Sequence, residues 1–231
     1  RNRHLVVAGG TVMPSLTSFH LLHERVSKRQ SDQLLETLGD GFDWVALETV
    51  LDLNGDEIDD AIVDDGMDGG IDAVCIVDRD VYIATFNYAS TFNNSKKAFP
   101  QNKLDSMIVT VEKIITRSLD QNDVNTALWD KVQEIWSGFD EGPLYFHFLA
   151  CSNKNKPDAA AVKRFEDSLG VFHLVDFQYW DLEDIVMEIL GKKHQAVNGT
   201  LTFIGRSHFT KAEVSLAATV ATVAAKDLID L

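Results

Sequence analysis

The chain predicts an α/β protein: a sandwich with helices on both faces of a mixed sheet. Two patterns in its 231 residues lead there. Residues 71–77 and 81–88 are apolar runs joined by the polar turn Asp78-Arg79-Asp80, and they read as an antiparallel hairpin. From residue 143 onward the pattern alternates strand, helix, strand, helix.

The elements follow in order. Residues 16–26 carry apolar side chains at helical spacing. Residues 33–38 and 42–53 continue that pattern across a break at Gly39-Asp40-Gly41. Residues 56–63 add a further helical turn or two. Asp64-Asp65-Gly66-Met67-Asp68-Gly69-Gly70 is a turn by composition. After the hairpin, residues 89–100 are polar and loop-like. Residues 104–119 and 124–139 read as amphipathic helices. Residues 143–151 are a buried strand, 158–169 a helix and 170–177 a strand. Residues 181–190 are a helix whose first turn holds the acids that suit its N-terminus. Residues 200–204 are strand-like, as are 220–224. No repeat or low-complexity linker divides the chain, so residues 15–231 are expected to form one domain. Residues 1–14 read as a leader, tag or terminal strand.

Composition narrows the function classes. Apolar residues make up 45% and charged residues 25%, ordinary for a globular protein. No apolar run reaches the roughly 18–20 residues of a membrane helix, so no membrane partner is expected. Cys75 and Cys151 lie in apolar strand-like runs without metal-ligand spacing. They read as buried reduced thiols, which points to the cytoplasm. The formal net charge is −15. Lys and Arg supply most non-specific affinity for phosphates, so any nucleic-acid contact has to be local, metal-bridged or supplied by another part of the molecule.

Several motifs are decoys. Residues 52–59 mimic the opening of an EF-hand loop. The glycine, the apolar residue and the bidentate glutamate of that loop are replaced by Glu57, Asp59 and Val63, so a helix-capping turn is expected. His20, His23, His147 and His173 are scattered and read as ordinary core or surface histidines. Ser152 is not framed as a nucleophile elbow, and the Asn198-Gly199-Thr200 sequon has no role in a cytoplasmic protein.

The informative stretch is residues 68–72. Gly69-Gly70 permits unusual dihedrals and close backbone approach. Asp72 opens a strand that is otherwise apolar, where an acid is costly unless solvated, paired or metal-bound. Metal-dependent nucleases use this layout to bring acids and a lysine to one metal. Thr85 and Asn87 are two apart on the second strand and so share a face. They stand where an acid or amide ligand and a lysine are expected.

Residues 56–73, Asp-Glu-Ile-Asp-Asp-Ala-Ile-Val-Asp-Asp-Gly-Met-Asp-Gly-Gly-Ile-Asp-Ala, resemble the amino-terminal part of the abortive-infection phage-resistance (AIPR) family. That family runs a short acidic helix, D-G-x-x-D-x-G-I-D, a strand, a turn, and a strand ending in Q-S-K-Y. Here the last four are Thr85-Phe86-Asn87-Tyr88, so the tyrosine matches and the glutamine and lysine do not. The resemblance covers residues 30–231, and the family pattern runs past Leu231, which implies a chain shortened at its C-terminal end.

The resemblance implies a restriction-endonuclease-like α/β/α sandwich of the PD-(D/E)xK type. It implies Asp72 as metal ligand, Glu48 as an auxiliary acid and second ligand, and Asp68 at the rim. Mg²⁺ or Mn²⁺ is the implied cofactor of an active form, and nucleic acid, a protein partner or a second copy the implied partners. The expected function is a nuclease-like domain of an anti-phage defence protein, binding nucleic acid with weak or absent hydrolysis. One alternative is an inactive regulatory or interaction module on the same fold. The other is an active nuclease whose lysine has migrated, with Lys96, Lys97 or Lys103 reaching back to Asp72.

Overall fold

A computed structural model describes residues 14–170, 172, 175–193, 209–213 and 216–220. The chain divides into two compact units, residues 1–189 and 190–231. In the first, a four-stranded mixed sheet has the order β1-β2-β3-β4. The strands are β1 (Ala73–Val77), β2 (Asp80–Asn87), β3 (Tyr145–Ser152) and β4 (Val175–Trp180). β1 is antiparallel to β2, and β2, β3 and β4 run parallel. The hairpin expected from the two apolar runs is present. Its loop is only Asp78-Arg79, because Val77 already pairs with Asp80. Asp78 takes φ 55°, a conformation that Asp tolerates better than most residues.

Helices cover both faces. α1 (Leu16–Asp32) and α2 (Leu38–Val50) lie on one side, where the Phe42 ring packs on Phe86 of β2 and on Tyr88 just beyond it. α3 (Gly55–Ala61) leads into β1, and the short α4 (Phe92–Ser95) follows β2. α5 (Gln101–Ile115), α6 (Thr126–Glu141) and α7 (Ala159–Leu169) bury the other face. There Val81 and Ile83 of β2 and Phe146 and Phe148 of β3 meet Leu104, Met107, Val111, Val132 and Phe165. Each large side chain buried this way contributes roughly 1.5–3 kcal/mol. α8 (Leu182–Lys193) follows β4. In the second unit β5 (Phe209–Glu213) and β6 (Leu216–Val220) form an antiparallel hairpin. Among the described residues no helix is long and apolar enough to cross a membrane.

α1 runs on to Asp32, and residues 33–37, expected to be helical, form the turn between α1 and α2. Of the other boundaries that differ from the sequence reading, three have a local reason. Gly39-Asp40-Gly41 is not a break but the first turn of α2. Thr37 caps it, and the Thr37 N–H in turn donates to Asp40 Oδ2 at 2.8 Å. α5 starts at Gln101, set by Pro100 at its cap, and ends before Arg117, which takes φ 54°. β4 starts at Val175 rather than at 170. Gly170 N–H bonds Glu166 O at 2.8 Å and Phe172 N–H bonds Leu169 O at 2.9 Å, so the α7 turn consumes those residues. The EF-hand mimic is a helix cap as expected, with Asn54 and Glu57 forming a reciprocal capping box. His173, the sequon and the strand expected at 200–204 lie outside the described residues, as do residues 221–224.

His147, near the start of β3, is more than an ordinary core histidine. Its Nδ1 lies 2.6 Å from Asp176 Oδ1 and its Nε2 2.8 Å from Asp80 Oδ1, and the ring stacks on Tyr82. These carboxylates raise its pKa to about 9, led by Asp176 and opposed by burial. A raised folded pKa stabilises fully below the unfolded value, near 6.5, and the contribution is lost as pH climbs through the folded one. Stability is therefore expected to fall by roughly 2 kcal/mol between pH 6.5 and 9, after allowance for partial exposure. Urea unfolding across that range checks it, and His147→Gln should flatten the curve.

Candidate metal centre

The Gly69-Gly70 turn builds the site. Gly69 (φ +63°) and Gly70 (φ +84°) sit in the left-handed region that favours glycine. The turn is also pressed onto α5. A Cβ on Gly70 would lie 2.8 Å from Lys103 O and 2.9 Å from Met107 N, and one on Gly69 would lie 2.2 Å from Thr110 Oγ1. Thr110 Oγ1 in turn donates to Gly69 O at 2.9 Å. This close approach brings the first turn of α5 against the start of β1.

Asp72 stands there, 1% exposed. Its backbone is fixed on both sides, by Val63 N–H to Asp72 O at 3.0 Å and Asp72 N–H to Ala84 O at 2.9 Å. Its Oδ2 accepts from the Phe86 N–H at 2.5 Å and from the Thr85 hydroxyl at 3.1 Å. The same oxygen lies 2.7 Å from Lys103 Nζ, which also donates to Phe86 O at 2.7 Å. Oδ1 is buried and has no hydrogen-bond partner among the described residues. An orphaned carboxylate oxygen in such a place calls for a cation or a donor from outside the chain.

Two further acids converge. One carboxylate oxygen each from Asp64, Asp68 and Asp72 lies within 4.8 Å of the others. Asp68 is oriented by the Gly70 N–H, which donates to its Oδ1 at 2.6 Å. Burial, then the charges of Asp72 and Asp68, push Asp64 up to about 6. Burial raises the Asp72 pKa and Lys103 opposes it. Asp43, half-buried on α2, is raised well above the usual carboxylate range by burial and then by Asp72. Four acids beside one lysine, three of them with raised proton affinity, form a site short of positive charge. Hard oxygen ligands of this kind suit Mg²⁺ or Mn²⁺.

The residues named from sequence fall as follows. Asp72, Asp68 and Thr85 come together, Thr85 holding the carboxylate of Asp72. Asn87 ends β2 in register with Ser152, whose hydroxyl donates to Asn87 O, while Asn87 Oδ1 is buried without a partner among the described residues. Glu48 receives Arg25 at 3.1 Å and Arg29 at 2.7 Å, which ties α2 to α1. Lys103 was one of three lysines considered, and its place after Pro100 at a helix start is the signal that singles it out. Asp64 and Asp43 were not anticipated. The spacing of four across Asp64, Asp68 and Asp72 was a visible clue to the first. Asp43 shows its role only once Phe42 is seated on β2. A cavity of about 760 Å³ on the α2 side, lined by Val50, Leu53, Cys75, Tyr82, Leu149 and Trp180 among others, involves none of these acids. No protein-family model, no curated protein and no solved structure matches the chain.

Proposed function

We propose that the first unit is a metal-dependent nuclease domain of restriction-endonuclease-like type, acting in anti-phage defence as the AIPR resemblance implies, with Lys103 in the role of the missing lysine. The observation that carries this reading is the Lys103 ammonium 2.7 Å from buried Asp72, whose other oxygen is left without a partner. Asp72, Asp68 and Asp64 would hold the ion. Bound there, a divalent cation supplies Lewis-acid polarisation of a phosphoryl oxygen and a more acidic water. Lys103 places a fixed positive charge where negative charge develops on the phosphate, and its bond to Phe86 O holds it there. The Thr85 hydroxyl and the Phe86 N–H orient Asp72. Asp43, with its raised proton affinity, is suited to take a proton from an attacking water.

The test has two arms. Mg²⁺ or Mn²⁺ should promote cleavage of labelled DNA or RNA, and Asp72→Ala should abolish it. Mn²⁺ at 100 times Kd should also raise Tm by roughly 5–10 °C. Protons compete with the ion for the carboxylates, so that rise should be full above pH 7 and shrink below about 6, where Asp64 takes up its proton. A parent protein that neither cleaves nor responds to Mn²⁺ would overturn the reading.

A further inference from the structure

We propose that Lys97 and Lys154 form a shelf that binds a backbone phosphate of a nucleic-acid strand, next to the phosphate presented to Asp72 and Lys103. The proposal rests on the nuclease reading for its substrate and on separate residues for its site.

The two lysines come from distant loops, one after α4 and one after β3, and the backbone stitches these loops together. Asn155 N–H donates to Lys97 O at 3.1 Å, and Phe99 N–H donates to Asn155 O at 3.0 Å. Asn155 Nδ2 donates to Lys96 O at 2.6 Å. Asn153, 1% exposed, accepts from Ala89 N–H at 2.7 Å and donates to Ala89 O at 2.8 Å. The Tyr179 hydroxyl braces the carbonyl of Lys154 from β4 at 3.3 Å. Such a frame fixes where both side chains start.

Charge explains what the frame is for. The neighbouring lysines are spoken for: Lys103 pairs with Asp72, and Lys156 lies 3.6 Å from Asp181 and 3.8 Å from Asp184. Lys97 and Lys154 have no acid partner among the described residues, although the chain carries 36 acids against 21 Lys and Arg. The hydrogen-bonded frame instead sets the loops that carry them side by side. Burial and the charge of Lys97 lower the pKa of Lys154. An anion joining both relieves that repulsion.

Position explains which anion. Asn87 and Ser152 are in register at the ends of β2 and β3. Lys154 lies two residues past that edge, at the end of the strand that pairs with β2, whose Thr85 holds Asp72. The carboxyl ends of parallel strands are where α/β sheets take ligands. A strand with one phosphate at the acids has its next phosphates along this edge. The local shelf also meets the constraint set by a net charge of −15.

The experiment uses the whole chain and a short fluorescein-labelled single-stranded oligonucleotide, with EDTA present so that no metal-dependent cleavage runs. Anisotropy is read across a salt series. Lys97→Gln with Lys154→Gln should reduce the slope of log affinity against log salt by about 0.7, the share of one phosphate contact on a single strand. Counted from a 1 M reference, that is about 5-fold weaker binding at 0.1 M salt. Lys97→Arg with Lys154→Arg should keep the slope, and Lys163→Gln, on the exposed face of α7, should leave it unchanged. An unchanged slope in the double glutamine variant, verified as folded, overturns the shelf. So does displacement of the oligonucleotide by millimolar inorganic phosphate at constant ionic strength, which would make it a free-anion site. Cleavage in Mg²⁺ separates this from the parent reading. Cleavage that needs Asp72, with binding indifferent to the two lysines, leaves the nuclease and removes the shelf. Binding that needs the lysines without any cleavage leaves the shelf and removes the nuclease.

Discussion

Replacing Lys103 with methionine is expected to slow metal-dependent cleavage about 10²- to 10³-fold, the usual loss when one preorganised donor to developing negative charge is removed. Methionine keeps most of the aliphatic stem and deletes the ammonium that lies 2.7 Å from Asp72 and 2.7 Å from Phe86 O. Oligonucleotide affinity should change little, because the loss falls on kcat. Lys103→Arg keeps the charge but replaces a compact ammonium by a planar fork, so it should recover only part of the rate. Rates within threefold of the parent for Lys103→Met would show that this lysine has no chemical role. Installing the family residues, Thr85→Gln with Asn87→Lys, should not raise the rate. Thr85 is 0% exposed, so a longer side chain overpacks at a cost of about 1–3 kcal/mol and displaces a hydrogen bond to Asp72. A second ammonium would also crowd the first. If the double variant cleaves and the parent does not, Lys103 is a structural partner of Asp72 and the scaffold is a decayed nuclease.

What could be read from sequence divides along physical lines. The β1–β2 hairpin was legible because alternating burial and a polar turn are local properties of residues 71–88. The mixed sheet followed from the strand and helix alternation after residue 143. Where local signals competed, reading failed. Gly39 and Gly41 looked like a break, yet the Thr37–Asp40 capping box makes that segment a helix start. A Cβ on Gly41 would lie 2.9 Å from Val26 O, so the glycine serves close packing of α1 on α2. Gly170 and Phe172 looked like strand, yet their N–H groups close the end of α7. Asp72 was legible because a lone acid in an apolar strand is conspicuous. Its cation was narrowed only to Lys96, Lys97 or Lys103: Lys103 is 31 residues away, and only the fold of the Gly69-Gly70 turn against α5 singles it out. Linear motif reading looks for the lysine two residues from Thr85 and finds Asn87. Glu48 was named on the right helix, but it faces Arg25 and Arg29, while Asp43, five residues earlier on α2, couples to Asp72.

Gly70→Ala is therefore expected to damage stability and site together. The residue takes φ +84°, which costs an alanine about 1–2 kcal/mol. Its new methyl would meet Lys103 O at 2.8 Å, Met107 N at 2.9 Å and Ser106 Cβ at 2.9 Å. Two of these are backbone atoms of a packed helix that cannot swing aside, so a further 1–3 kcal/mol of overpacking is expected. The total, roughly 2–5 kcal/mol, is a large share of the 5–15 kcal/mol typical of a folded domain. Urea unfolding should show a lower midpoint at constant m. Relief of the clash moves the first turn of α5 away from β1, which lengthens the Lys103–Asp72 contact, so the cleavage rate should fall in molecules that remain folded. Gly66→Ala is the control. Gly66 also has a positive φ, +59°, but nothing lies within 4 Å of a Cβ there. It should cost only the conformational part, about 1–2 kcal/mol, and leave cleavage intact. Equal effects at the two glycines would mean that contact between the turn and α5 does not hold the site together. A larger loss at Gly70, in stability and rate alike, is the result expected if the glycine turn exists to press Lys103 onto Asp72.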